Sequence, residues 1–291
     1  MTLASRHAPM KFGVALGRLH YSLHAEMAIL ADSLGFESVW LPEHLVLPVD
    51  MGGSPFADAE HPPIPADAPI LDCFAYLSYL AARTERVRLG SHVYLLGLRH
   101  PFVSARAVQT LDVVSGGRAE IGVGAGWLEA EWHAVGLDPR TRGRRLDEAI
   151  EVCRRLWSEP VVEHHGEFFD FDAVTFEPKP LRRLGPPVHV GGESPAALRR
   201  AARLGDGWVG MAHTPDSVAG PMTQLQTLLR DGGRGAAVVE RFEFTCYVPN
   251  VTEDDVARFA DAGITRLIVA PWTRMRDALD AASAFGDRFL S

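Results

Sequence analysis

The chain has 291 residues, 47% of them hydrophobic and 23% charged, enough for one large core or two modest ones. A net charge of -8 and the lack of a basic stripe interleaved with aromatics exclude the usual nucleic-acid binders. Three scattered cysteines, no signal-like apolar run in the first nine residues and no membrane-length apolar stretch describe a cytoplasmic protein in a reducing compartment, with Cys73, Cys153 and Cys246 as small buried hydrophobes.

Short apolar runs alternate with helical patterns along the chain. The first strand is expected over residues 12–16, followed by a helix with Leu23, Met27, Leu30 and Leu34 on one face and Gly35 as its stop. A second strand over 38–41 runs into a loop over 45–71 rich in Pro, Gly, Asp and Ala, too long for a mere connection and expected to be a lid or substrate wall. Strands three and four are expected over 87–96 and 119–123. The clearest helical face carries Leu146, Ile150, Cys153 and Trp157. On the same helix Arg142, Arg144, Arg145, Arg154 and Arg155 stand beside Asp147, Glu148 and Glu151, which reads as a solvated charged face.

Residues 161–184, with HHGEFFDF at their centre, read as an inserted β-hairpin. Four more strands follow over 188–190, 208–211, 242–248 and 267–270. Eight strands separated by helices, with few hairpin-type turns, predict parallel βαβ units closed into a (β/α)8 TIM-type barrel. The expected organisation is a flexible tail over 1–10 and a single barrel domain over 11–291.

In such a barrel the C-terminal ends of the strands face the active site, so the residues there are the first candidates for chemistry. Strand two ends in Glu43 and His44. His44 can exchange a proton near neutral pH, and Glu43 can hydrogen-bond a substrate or orient water; a structural histidine is the competing reading. Strand three places Ser91 and His92 within an apolar run, where both need partners. Strand four leads into GVGAGW, which lacks the third glycine of a dinucleotide fingerprint, because Trp127 stands there. Gly124, Ala125 and Gly126 are expected instead to let a flat ring approach the backbone, with Trp127 as a wall.

The segment 185–210 reads strand, loop, helix, strand. Gly191 and Gly192 open the backbone, Ser194 suits a helix N-cap and Pro195 the first helical position, so unpaired N–H groups should face an anion; an ordinary βα turn is the alternative. No Walker loop, HExxH or GxSxG is present, and His164 and His165 lack the spacing of partner ligands. Neither a metal site nor a Ser/His/Asp hydrolase is expected.

Six stretches stand in a telling order: ADSLGFESVWLPEHLVLP, ARTERVRLGSHVYLLGLRHP, QTLDVVSGGRAEIGVGAGWLEAEW, RLDEAIEVCRRLW, FEPKP and PPVHVGGESPAALRRAARLGDGW. Spread between Lys11 and about Gly210, they resemble the luciferase-like monooxygenase superfamily, and specifically its coenzyme F420-dependent oxidoreductase branch. The resemblance implies a cofactor lying across the barrel mouth. Its ring would rest against a bulge in strand three that often contains a non-prolyl cis peptide, matched here by His92 and Val93. Its phosphate would sit at Gly191, Gly192, Glu193 and Ser194, with contacts from Gly210, Met211 and Ala212. His44 matches the histidine beside the reacting ring carbon, and Glu43 the acidic position before it.

Where some relatives place a proton-donating glutamate after the GVGxG turn, this chain has Trp127. That difference weakens a sugar-phosphate dehydrogenase reading and favours a more apolar pocket. The implied activity is hydride transfer between F420 and a small organic substrate. Two alternatives stand beside it: an FMN-dependent monooxygenase served by a separate reductase, and a catalytically silent flavin-binding barrel. The family habit also implies a homodimer formed through barrel helices.

Overall fold

The computed structural model describes residues 9–51 and 64–290. Most of the expected tail and residues 52–63 of the expected lid lie outside this description. Ten strands are present: β1 (Lys11–Ala15), β2 (Ser38–Leu41), β3 (Arg88–Tyr94), β4 (Ala119–Val123), β5 (Val162–His165), β6 (Asp170–Val174), β7 (Val188–Gly191), β8 (Gly207–Met211), β9 (Glu243–Tyr247) and β10 (Arg266–Val269). The helices are α1 (His24–Leu34), α2 (Cys73–Ala81), α3 (Pro101–Val114), α4 (Glu129–Ala134), α5 (Arg142–Ser158), α6 (Pro195–Leu204), α7 (Ala219–Asp231), α8 (Ala236–Glu240), α9 (Glu253–Asp261) and α10 (Ala278–Phe289).

The barrel closes in the order β1-β10-β9-β8-β7-β4-β3-β2, every neighbouring pair parallel, so the eight expected strands are the eight staves. Strand three is shorter than its apolar run suggests, because Leu96–Leu98 turns into a 3-10 helix. The hairpin insert is β5 paired antiparallel with β6. It is tied to α5 through Glu148, whose carboxylate accepts from the N–H groups of Phe168 (3.0 Å) and Phe169 (2.9 Å) and lies 3.0 Å from His164 Nε2.

Helix α1 stops at Gly35, whose φ of 88° a Cβ would disfavour. The α5 face of Leu146, Ile150, Cys153 and Trp157 is buried as expected, and all three cysteines are buried and free. The arginines of α5 depart from a purely solvated face. Arg145 donates to Gly97 O (2.7 Å) and lies 4.6 Å above the Phe169 ring, while Arg154 donates to Leu204 O (2.8 Å) and pairs with Asp206 (2.7 Å). The physical reason is that α5 is flanked by α6, by the insert and by the Leu96–Leu98 turn, whose carbonyls and rings meet the guanidinium groups. No helix among the described residues is long and apolar enough to cross a membrane.

The N-terminal end of the barrel is plugged by ions rather than by aliphatic side chains. Lys11, Arg88, Glu243 and Arg266 open their strands, and Glu120 and His189 come second in theirs, so all fall in one layer. Arg266 is fully buried, with Glu37 at 2.8 Å and Glu243 at 2.7 Å, and its guanidinium lies 5.4 Å from the Trp40 ring centroid. His189 Nε2 lies 2.6 Å from Glu120, which Arg88 also pairs. Burial alone would raise the Glu120 carboxyl, but the His189 hydrogen bond and the charges of His189, Arg266 and Arg88 hold it well below the usual carboxylate range.

Glu120, His189 and Glu243 bring potential metal-ligating atoms within 4.8 Å of one another. Each carboxylate already faces a cationic side chain of the chain itself, which makes the trio part of an ion network. Above it the Trp40 indole fills the barrel interior. Gly90 has no side chain because a Cβ there would strike that ring.

Candidate active site at the barrel mouth

The bulge expected in strand three is present: pairing with β4 shifts register between Ser91 and Tyr94, and the His92–Val93 peptide is cis. The Val93 side chain is wedged between neighbouring strands. A Cβ on Gly124 would come within 2.5 Å of Val93 Cγ2, and one on Gly191 within 2.9 Å of Cγ1. These two glycines therefore make room for Val93, a role different from the direct approach of a ring expected of Gly124. Ala125 packs half-buried on the core, and Gly126 turns the chain at φ 76° toward Trp127.

Glu43 points inward. Its Oε2 accepts the Leu95 N–H at 2.8 Å and its Oε1 accepts Arg99 Nη2 at 2.5 Å, both inside the protein. This carboxylate braces the segment after the bulge, with both of its oxygens engaged by groups of the chain itself. His44 turns the other way. Its Nδ1 lies 2.8 Å from Glu131 Oε2, and Glu131 Oε1 accepts the N–H groups of Leu45 (2.6 Å) and Val46 (3.2 Å). The Glu131 side chain is 1% exposed and that of His44 12%. An Nδ1–H donated to a carboxylate leaves Nε2 as the working nitrogen, and among the described residues Nε2 has no recorded protein partner. Trp127 stands edge-on to this imidazole at 6.1 Å and 87°.

Glu131 is absent from the sequence expectations. It sits in LEAEW two residues after another acid, Glu129, and nothing local distinguishes the one whose partner lies 87 residues back.

His92 lies beneath the mouth, 5.5 Å from the Tyr247 ring and 6.4 Å from Trp40. Among the described residues its Nε2 is buried without a hydrogen-bond partner, and burial pushes the imidazole down to about 4, so it is neutral at physiological pH. A buried, unpaired ring nitrogen is a group for a ligand to satisfy.

Across the mouth, Gly192 has φ 118° and its carbonyl accepts Trp208 Nε1 at 3.0 Å. Ser194 caps α6 by accepting the Ala197 N–H at 3.2 Å, with Pro195 first in the helix, as expected. Glu193 Oε1 accepts the Met211 N–H at 2.8 Å, and its Oε2 lies 2.9 Å from His213 Nε2. The Ala212 N–H, at φ 55°, donates to Tyr247 O (3.0 Å), and Gly210 is a glycine because a Cβ would strike the Trp208 ring. Among the described residues the N–H groups of Glu193, Ser194 and Ala196 have no protein acceptor, whereas that of Gly192 continues the β7–β8 ladder. Those of Met211 and Ala212 are taken.

The donor set suits a ligand with an anionic tail at 192–196 and a flat polar ring over the bulge. Ser194→Ala is expected to cost about 1 kcal/mol of stability through loss of the cap. Calorimetry would read this as a melting point roughly 2 °C lower.

The profile of a family described as luciferase-like monooxygenase matches residues 7–284. An uncharacterized protein of Mycobacterium tuberculosis is 30% identical over 274 residues, covering 92% of each chain. An F420-dependent glucose-6-phosphate dehydrogenase of Kineococcus radiotolerans is 34% identical over 189 residues, 64% of this chain and 51% of that protein. Among solved structures, an F420-dependent secondary alcohol dehydrogenase in complex with an F420-acetone adduct superposes with a TM-score of 0.77 at 19% identity, covering 96% of this chain and 98% of that one.

Proposed function

Because the chain belongs to the luciferase-like monooxygenase family, we propose that it is an F420-dependent oxidoreductase acting on a small organic substrate. The observation that carries this reading is the His44–Glu131 pair at the barrel mouth, together with the loop before α6, whose Glu193, Ser194 and Ala196 N–H groups have no protein acceptor among the described residues. Two F420-dependent relatives, one by sequence over part of the chain and one by fold, support the choice of cofactor.

The bound deazaflavin would supply or take the hydride. The chain's own part is to bind, orient and move one proton. Reducing a carbonyl requires a proton for its oxygen, and oxidising an alcohol requires a base; His44 Nε2 is the atom placed to serve either direction. Glu131 fixes the ring and its tautomer by accepting Nδ1–H. Glu43, held by Leu95 N–H and Arg99, acts as a positioning residue that braces the bulge. Trp127, in place of an acidic residue, lines the His44 side with apolar surface and limits water there. Backbone N–H groups of Glu193, Ser194 and Ala196 bind the anionic tail.

Titration of the purified protein with F420 and with FMN, followed by absorbance and fluorescence, tests this assignment. Saturable F420 binding and turnover of F420 with one of a panel of alcohols and ketones are expected. FMN binding with oxygen uptake dependent on a separate reductase would replace this reading with the monooxygenase one, and binding of neither would leave the barrel without redox chemistry. Glu131→Gln is expected to lower kcat about tenfold, a fraction of the full acid-base contribution, with F420 affinity and melting point unchanged.

A further inference from the structure

An acidic side chain stands inside the loop that would hold an anion. The Glu193 carboxylate immediately precedes the α6 N-cap, where a negative charge favours the helix and takes part of the positive potential an incoming anion would use. It also holds the Met211 N–H and sits against His213 Nε2, whose Nδ1 is in turn 3.1 Å from Ser217 Oγ. Neither a lysine nor an arginine is recorded in an ion pair with it among the described residues. Among the described residues the carboxylate is held by these hydrogen bonds, links Met211 and His213 to the loop before α6, and has no lysine or arginine within ion-pairing distance.

We propose that Glu193 selects the cofactor by charge: it admits a tail whose phosphorus carries one negative charge, a phosphodiester as in F420, and disfavours a phosphomonoester as in FMN. This inference rests on the placement of the tail at 192–196. At pH 7 a phosphomonoester carries about 1.5 to 2 negative charges, so a fixed carboxylate in the same loop repels it more strongly than a diester. One extra unit of like charge at a partly exposed site corresponds to about tenfold in affinity. A loop built with a neutral residue here would hold both tails more nearly alike.

Equilibrium titrations of F420, FMN and riboflavin against wild type, Glu193→Gln and Ser194→Asp test it. Riboflavin has no phosphate and reports ring binding alone. Glu193→Gln is expected to tighten FMN about tenfold relative to F420 and to leave riboflavin unchanged. If the three ligands shift together, or none shifts, Glu193 has no selective role.

Ser194→Asp keeps a good N-cap and adds a negative charge to the same loop. It is expected to weaken FMN and F420, FMN the more, without affecting riboflavin. If Ser194→Asp leaves both phosphate-bearing ligands untouched, the tail lies elsewhere, and the placement fails together with the inference. If it weakens both while Glu193→Gln discriminates between neither, only the role of Glu193 fails.

Discussion

Replacement of His44 by alanine is expected to lower turnover by about 10²-fold or more, with F420 affinity and thermal stability close to wild type. The size of the effect follows from geometry. His44 pairs one ring nitrogen with a buried carboxylate, and the other has no protein partner among the described residues. Removing the imidazole leaves the substrate oxygen to exchange its proton with water, against the Trp127 surface. The assay is steady-state oxidation or reduction of the cofactor with whichever substrate wild type turns over fastest, alongside an F420 titration. Unchanged kcat would remove His44 from proton transfer, whereas loss of F420 binding with kcat preserved would make it a binding residue. Compared with the tenfold loss at Glu131→Gln, the larger loss at His44 separates the group that moves the proton from the group that orients it.

Arg266→Met is expected to destabilise the protein by about 3–5 kcal/mol, the usual consequence of removing one partner from a buried ion pair. Arg266 is wholly buried against Glu37, Glu243 and the Trp40 face, so its loss leaves carboxylates facing one another inside a closed barrel. Denaturant titration measures the loss. A change below about 1 kcal/mol would mean that water reaches the barrel end and screens the network.

The same network sets an acid limit. Burial opposes ionisation of Glu243, but Arg266 and His189 more than offset it, and Glu120 behaves likewise through His189, Arg266 and Arg88. Both folded-state values are therefore depressed. The associated stability is complete above the unfolded carboxylate range and is lost as pH falls through the folded values. Melting points of wild type should accordingly drop on acidification from roughly pH 5 downward. Arg266→Met should flatten that dependence, since its charge is a main cause of the depression at Glu243.

Much of this was legible in the residues. The βα alternation implies eight staves because apolar runs of strand length separated by 3.6-period faces can be buried together in few ways. The Ser194 cap follows from Gly-Gly-Glu-Ser-Pro alone, since capping is a contact over three residues. Where partners are far apart in sequence, the reading falls short. Glu43 and His44 are adjacent and look alike as candidates, yet one carboxylate is claimed from 56 residues away by Arg99 and the histidine from 87 residues away by Glu131. Gly124 looks like an opening for a ring, but the space its missing Cβ leaves is filled by Val93.

The sequence by itself determined the order and kind of elements, the end of the barrel that carries the mouth, and the loop whose amides face outward. All of these follow from local periodicity and short-range hydrogen bonding. Tertiary structure alone decided which polar groups are free to act. Closing the barrel brings loops from β2, β3, β4, β7 and β8 to one rim, and each acid there is engaged by whichever N–H or cation that convergence sets within about 3 Å. That is why Glu43 became a brace, Glu131 the partner of His44, and Glu193 a link between the loop before α6 and the loop after β8.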